Sequence, residues 1–483
     1  MWQTLLVAPT FLDADDLVRL YRQGRRTFGQ PEPGMSTLQG ANLANVSLPG
    51  VVLASFDLRN ADLTAARLAC SVLAGSNLSF VRAAGADLRE ADLSGANLAG
   101  ANLSNAILVG ANLQGANLRA ANLAGSHLGG ALMNNSMLQG AVVTRANLCA
   151  ANLSRATMDG TDLSGALLSG SNLTEASLVG ARIREADFAG SNCKAVNFNS
   201  ANLESCNFSG ASCDGADFSR ANLVRAILRR TSLRSAILDY VDLRGAQIDS
   251  ADLRSARCSG ATLGETSLLN TVLAPFVRAA KMTHTAVSCV DFRSLLRSFS
   301  EPGLAEFLQA TGMPPVFTWY GIDCAKSMSP DVVFSLLQST FISYGQPDEP
   351  FARRLNDGLK REGVTTFFFK DDALPGDELH ALMRRGVNDH DRVILICSEA
   401  SLRRKGLLNE IKETLRREAR DGGRSFLIPV VLDGYLFDGW RPDDRALDST
   451  AVTSRVAADF RGWETDSIFA SGLARLVKAL KKT

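Results

Sequence analysis

The stretch GANLAGANLSNAILVGANLQGANLRAANLAG, residues 95–125, places Ala-Asn-Leu or a close variant at every fifth residue. Neither regular element repeats at that interval: a helix brings its apolar face round every 3.6 residues and a strand every 2. In an extended piece, alternate side chains share a side. Ala96 and Leu98 therefore point one way and Asn97 the other. The next two residues must turn a corner, which suits Gly, Ser and Asn. Four such sides and four corners close a square coil. Coils stacked in parallel then bury one another's apolar side.

Followed outward from this stretch, the apolar centres run Leu38, Leu43, Leu48 and on to Leu263, Leu268 and Leu273, about 48 units without an insertion. Nearly every centre is Leu, Phe, Ile, Met, Val or Cys, with Ala83 the clear exception. Two positions before each centre stands a small residue, and two after it is often Gly. Residues one coil apart should stack on one wall. Phe188 then lies over Phe208, and Phe198 over Phe218 on the opposite wall. Cys193 and Cys213 fall on a third wall and are read as packing, since a free Cys behaves as a small buried hydrophobe. Solenoid ends need caps. The segment 1–35 supplies one: DADDLVRLYRQGRRTFG predicts a helix with Asp13 or Asp15 at its N-cap and Leu17, Leu20 and Tyr21 on one face. At the other end, VSCVDFRSLL predicts one more coil in a shifted frame, centred on Phe292.

Units such as ADLSG, ANLAG, ANLRA and ADFSR resemble the pentapeptide-repeat family over residues 36–275. The resemblance implies a right-handed quadrilateral parallel β-helix, with coils spaced by roughly 4.8 Å. Some members of that family mimic a DNA duplex and inhibit topoisomerases, which needs an acidic surface. Here 18 Lys and Arg balance 18 Asp and Glu across 36–275, so mimicry is disfavoured. From Leu93 to Thr144 the only charged residue is Arg119, and the outward positions include Ile107, Leu132, Met137 and Val142. An uncharged, partly apolar flank of this kind suits packing against another copy of the chain.

The bulk numbers exclude several classes. Net charge is +1 with 21% charged residues, so neither nucleic acid nor an anionic surface is an expected partner. Nine Cys occur without a CxxC pair, and four His offer no zinc spacing, so no metal site is expected. No run of 18 apolar residues exists, and the start lacks the basic region and long apolar core of a signal peptide. The expected setting is cytoplasmic, away from the membrane.

After Leu273 the five-residue frame stops. Residues 276–337 read as a connector, partly helical. From 338 to 483, strand and helix patterns alternate: TFISY, TTFFF, RVILICS and SFLIPVVLD are strands. Phe351, Leu355 and Leu359 form a helical stripe, DELHALMRRGV and LLNEIKETLRREARDGG are helices, and Leu473, Leu476, Val477 and Leu480 face the core from a closing helix. Continuous apolar strands alternating with helices predict a parallel sheet covered on both sides.

Residues 338–483 also resemble the TIR (Toll/interleukin-1 receptor) domain in its bacterial form, which implies a flavodoxin-like α/β fold. FISY followed by Asp348 looks like the first-strand motif and its loop, DDALPGDEL like the BB loop, and ILICSEASL and FLIPVVLDG like the third and fourth strands. LLNEIKETL looks like the helix bearing the family's catalytic glutamate, which maps onto Glu410. Enzymatic members split NAD+ at the nicotinamide–ribose bond, so NAD+ is implied as substrate and no cofactor is needed. The ribose passes through an oxocarbenium-like state that a carboxylate stabilises. Nicotinamide leaves as a neutral molecule, so one Glu, a stacking aromatic and a closed cleft suffice.

The resemblance thus implies Glu410 as the catalytic carboxylate and Ser343, Tyr344, Asp348 and Phe369 as NAD+-binding residues. It implies self-association through the BB-loop residues Asp372, Leu374, Pro375 and Gly376. It implies a role in immunity against phage, with the repeats as scaffold or sensor. The sequence departs from the pattern at Gly406, where enzymatic members commonly carry Trp. That departure keeps an alternative open: an adaptor without activity, acting through TIR–TIR contact.

Overall fold

A computed structural model describes residues 13–28, 38–328, 339–368, 390–420, 426–438, 440–441 and 449–482. The chain forms two compact units, Met1–Tyr320 and Gly321–Thr483. The division falls within a helix of the expected connector, Pro315–Ser327.

In the first unit, residue after residue pairs in parallel with its counterpart 20 positions on, from Asn42↔Asp62 to Gln247↔Ser267. Each side bonds the coils above and below it. Leu98 N–H donates to Asn117 O (2.7 Å), and Asn117 N–H to Ala96 O (2.9 Å). The corners are β-turns closed by bonds such as Ala96 N–H to Leu93 O (3.0 Å). At every corner the residue two after the centre lies at positive φ, as a type II turn requires. Where that residue is not Gly, φ stays between 52° and 61° along the coils.

Inside, the small residue and the centre of each side are buried from Leu38 to Leu273 almost without exception. The phenylalanines form two ladders, Phe188 stacked on Phe208 (4.7 Å between ring centroids) and Phe198 on Phe218 (4.9 Å). Edge-to-face contacts at 5.8–6.0 Å join one ladder to the other across the tube. Some hydroxyls at the small position find a carbonyl of the previous coil, as Thr161 does with Leu138 O and Thr231 with Phe208 O, both at 2.8 Å. Ser136 and Ser171 donate instead within their own coil, and the buried Ser71 and Ser126 hydroxyls make no hydrogen bond among the described residues.

The ends are capped. Helix α1 (Ala14–Arg22) starts at Asp13, whose side chain accepts from Asp16 N–H (2.8 Å). Leu17 is buried, and Tyr21 donates to Pro49 O (2.7 Å). At the far end, β1 (Thr262–Leu263) pairs with β3 (Thr283–His284), and β2 (Ser267–Leu268) with β4 (Cys289–Val290). One further coil does form, but its frame differs from the expected one. Val290 lies opposite Leu268, whereas Phe292 is 37% exposed and opens helix α3 (Phe292–Leu296), capped by Asp291. Extra residues between the paired strands shift the register, and the Asp291 cap ends the coil. Helices α2 (Ala274–Val277) and α4 (Leu304–Ala310) complete the cover, with Phe276 stacked on Phe307.

The second unit holds five parallel strands in the order β6-β5-β7-β8-β9: β5 (Ser339–Ser343), β6 (Thr365–Phe367), β7 (Arg392–Cys397), β8 (Leu427–Val431) and β9 (Ala458–Asp459). All of β5 and β7 is buried, as a sheet covered on both faces demands. On one face, helix Lys405–Arg420 packs Leu407, Leu408 and Ile411 against Phe341, Val393 and Leu395. On the other, helix Glu349–Arg361 contributes Phe351, Leu355 and Leu359, and helix Asp466–Lys482 contributes Leu476, Val477 and Leu480. The helix expected at DELHALMRRGV lies outside the described residues. Strand β9, within ADFRGWE, was not foreseen as a strand; two residues are too short for a periodicity signal.

Candidate active site

The carboxyl ends of parallel strands leave backbone groups and loop side chains converging at one rim, where ligands bind in open α/β sheets. Ser343 is the last residue of β5 and sits at that rim, wholly buried. Its hydroxyl donates to Oε2 of Glu410. Glu410 lies on the inward stripe of its helix with Leu407, Ile411 and Thr414, and only 7% of it is exposed. Thr414 donates to the Glu410 carbonyl (2.7 Å). The helix is pinned further along: Glu418 accepts from the N–H groups of Phe426 (2.6 Å) and Leu427 (2.9 Å) and pairs with Arg455 (2.7 Å). Burial pushes the Glu410 carboxyl up to about 7, against the opposing pull of the Ser343 hydroxyl. A carboxylic acid so placed exchanges its proton near neutrality.

Strand pleating separates the other residues that the sequence pointed to. Ser343 and Tyr344 leave β5 on opposite faces. Tyr344 stacks on Phe368 at 5.1 Å, within the core cluster that holds Ile342 and Phe351. Arg353 lies over the Phe368 ring at 5.3 Å. Tyr344 therefore does not join Glu410.

Asp348 does not cap its helix through its side chain. It accepts from Ser398 Oγ (2.6 Å) and from Ser401 Oγ. Ser401 Oγ in turn accepts from Gly345 N–H (2.9 Å). Ser398 and Ser401 were missed in the sequence. Their only signal is the N-cap position of Ser398 ahead of the short helix Glu399–Leu402. A concavity of about 530 Å3 opens here, between Asp348, Ser398, Arg403, Asp433 and Trp463, and Glu410 does not line it. Phe369 and Asp372, Leu374, Pro375 and Gly376 lie outside the described residues. Among the described residues, no cluster of His, Cys, Asp or Glu has the arrangement of a metal site.

Comparison with known families matches pentapeptide repeats in eight stretches between residues 36 and 248, and a TIR domain at residues 340–477. The chain is a pentapeptide-repeat protein that carries a TIR domain. Its first unit is the family's right-handed quadrilateral β-helix, and its second is the flavodoxin-like α/β domain. Among solved structures it is similar to HetL, a pentapeptide repeat protein involved in heterocyst differentiation regulation from the cyanobacterium Nostoc sp. strain PCC 7120. Identity is 33% over 52% of this chain and 96% of HetL, with a TM-score of 0.21. It is also similar to Rfr23 from the cyanobacterium Cyanothece 51142 (26% identity, 19% of this chain, 62% of that one, TM-score 0.19). Full-length QnrB1, a plasmid-mediated fluoroquinolone resistance protein, is 16% identical over 46% of this chain and 93% of its own, with a TM-score of 0.18. No curated protein matches the chain.

The TIR domain thus brings Glu410 and Ser343 together at the end of β5. A Cβ built at Gly406 meets nothing within 4 Å. No helix among the described residues is long and apolar enough to cross a membrane. On the repeats, opposite charges pair from coil to coil, as in Arg82–Asp62, Arg182–Asp162 and Arg229–Asp249. Ile107, Leu132, Met137 and Val142 belong to four separate ladders of paired residues. They girdle the coils and do not form one strip along a side.

Proposed function

We propose that the TIR domain is an NAD+ glycohydrolase whose catalytic carboxylate is Glu410. The observation that carries this reading is a buried carboxyl at the tip of β5, raised to about 7 and held by a hydroxyl at the same rim. Cleavage of the nicotinamide–ribose bond builds positive charge on the ribose, which an adjacent carboxylate stabilises most strongly where water is excluded. The reaction needs the ionised form, so nicotinamide release rises with pH through about 7. The setting we infer is a cytoplasmic effector of bacterial immunity against phage. It is activated by self-association through the TIR domain, with residues 372–376 at the contact and the repeats as scaffold or sensor. The apolar girdle of the coils is a second candidate contact between copies.

The test incubates the purified full chain with NAD+ and follows nicotinamide. Wild type releases it. Glu410→Ala loses about 100-fold or more, the scale on which a charge-stabilising group matters. A variant as active as wild type removes Glu410 from the chemistry. A second reading, an adaptor without activity, draws on Gly406, which offers no side chain where enzymatic members commonly carry Trp and where a Cβ would meet nothing within 4 Å. It predicts no nicotinamide from wild type at any concentration, with self-association intact.

A further inference from the structure

Resemblance sets Ser343 among the groups that touch NAD+. The geometry gives it different work. Ser343 has no exposed surface, and its one hydroxyl proton is committed to Oε2 of Glu410. A hydroxyl in that state has no proton left to donate and no surface for a substrate to reach. We propose that Ser343 is a positioning residue: it holds one carboxylate oxygen of Glu410 so that the other, Oε1, is presented to the ribose. This rests on the glycohydrolase reading of the site.

Three features support the assignment. First, the backbone carrying Ser343 is fixed on both sides. Ser343 pairs with Leu395 in the parallel ladder, and two residues later Gly345 N–H is bonded to Ser401 Oγ at 2.9 Å. The approach there is close: a Cβ at Gly345 would stand 2.4 Å from Ser401 Oγ and 3.0 Å from its Cα. Asp348, held by Ser398 and Ser401, anchors the end of the same turn. The hydroxyl therefore starts from a rigid base.

Second, Glu410 has no other means of orientation. Among the described residues its carboxylate makes no hydrogen bond except that with Ser343. Its surroundings on its own helix are Leu407, Ile411 and Thr414, and the Thr414 hydroxyl is turned to the Glu410 carbonyl. From β5 it meets Ser343, with Phe341 in the apolar cluster beneath. No charged side chain of the described residues contributes to its proton affinity. Third, only one of the two carboxylate oxygens, Oε2, takes a hydrogen bond among the described residues. One oxygen is held and the other takes no hydrogen bond among the described residues, the arrangement a charge-stabilising carboxylate needs before substrate arrives.

Ser343→Ala, Ser343→Thr and wild type are compared as full chains, with circular dichroism to establish that each is folded. Without the hydroxyl, Glu410 loses the one interaction favouring its charged form. Ser343→Ala is expected to lower kcat about tenfold or more, to leave KM within about twofold, and to move the midpoint of the pH–rate profile upward by about one unit. Ser343→Thr restores both. A Ser343→Ala enzyme whose KM alone rises makes Ser343 a substrate ligand and overturns the proposal. So does one with the wild-type pH profile and kcat.

A second readout does not depend on turnover. The titration of Glu410 is followed by isotope-edited infrared or carbon NMR spectroscopy of labelled glutamate, assigned by its loss in Glu410→Gln. The midpoint should climb in Ser343→Ala. If it stays in place, Ser343 does not hold the carboxylate, whatever the activity. If wild type releases no nicotinamide but the midpoint moves, the glycohydrolase reading has failed while the Ser343–Glu410 contact stands.

Discussion

The two units place their polar residues by opposite logics. In the β-helix a residue's position in the five-step frame decides its burial. Small residues and centres point in, Asn and Asp point out, and one rule holds from Leu38 to Leu273. In the TIR domain the decisive side chain breaks the local rule. Glu410 occupies the inward stripe of an amphipathic helix, where Leu407 and Ile411 announce core. Along the coils the small and centre positions hold apolar or small polar side chains and no carboxylate faces inward, the ionisable groups inside being thiols such as Cys206, whose burial keeps them neutral. The α/β domain has a rim where strands end, and there the exception is supported. The lesson is that regularity stabilises a scaffold, whereas the buried carboxyl sits where regularity is broken.

The largest effect expected from breaking this contrast is in the tube. Phe208 is fully buried, stacked on Phe188 and in edge contact with Phe198 and Phe218. Phe208→Ala opens a cavity that the hydrogen-bonded coils cannot collapse around, and is expected to cost about 3–5 kcal/mol. Denaturant titration of the full chain, followed by circular dichroism, measures it. A loss below about 1 kcal/mol would mean that neighbouring coils relax into the space and that the rigid-frame picture is wrong.

The TIR domain should answer in the opposite direction. Glu410 holds its proton more tightly folded, at about 7, than at the ordinary 4.5. Below about pH 4.5 both states are protonated and nothing is lost. Between about 4.5 and 7 the unfolded chain gives up this proton while the folded one keeps it, so stability falls across that window and stays lowered once pH has passed the folded value. Glu410→Gln keeps the shape and removes the charge. It is expected to match wild type near pH 4 and to gain up to about 3 kcal/mol by pH 8, while nicotinamide release is lost. Thermal melts across this range give the curve. A gap that is constant with pH removes burial of the charge as its cause.

This contrast also sets how much was legible beforehand. The square coil and the phenylalanine ladders on facing walls followed from spacing alone, and the helix cap was narrowed to Asp13 or Asp15, of which Asp13 serves, because each depends on sequence neighbours. Slippage at the last coil did not follow: Val290 lies opposite Leu268 because extra residues between the paired strands lengthen that coil, and they fall where the five-residue frame has stopped. In the TIR domain four strands were readable as continuous apolar runs and one helix as the stripe Phe351–Leu355–Leu359, while the strand order was not. Placing Ser343 and Tyr344 in one cleft ignored the pleat, which sends adjacent residues to opposite faces. The lock formed by Asp348, Ser398 and Ser401 joins residues some 50 positions apart, and no local pattern encodes it.

The smallest effect tests the rule of the corners. Every corner from Gly40 to Asn270 has its second residue at positive φ, and the occupants include Asn, Ser, Ala, Arg, Glu, Tyr and Phe but no Val, Ile or Thr. A second branch at Cβ crowds the carbonyl in that conformation, which makes a β-branched residue there a true outlier. Gly115 isolates the effect, since its φ is +64° and a Cβ meets nothing within 4 Å. Gly115→Asn should be close to neutral, because Asn tolerates the left-handed region. Gly115→Ala should cost about 1 kcal/mol, and Gly115→Val clearly more. Equal stability for the Ala and Val variants would mean that backbone strain does not explain the missing residue types. The corners would then be selected by what faces them from the next coil. Phe80 already shows such selection, for its ring lies so close over Gly100 that an added Cβ would stand 2.5 Å from it.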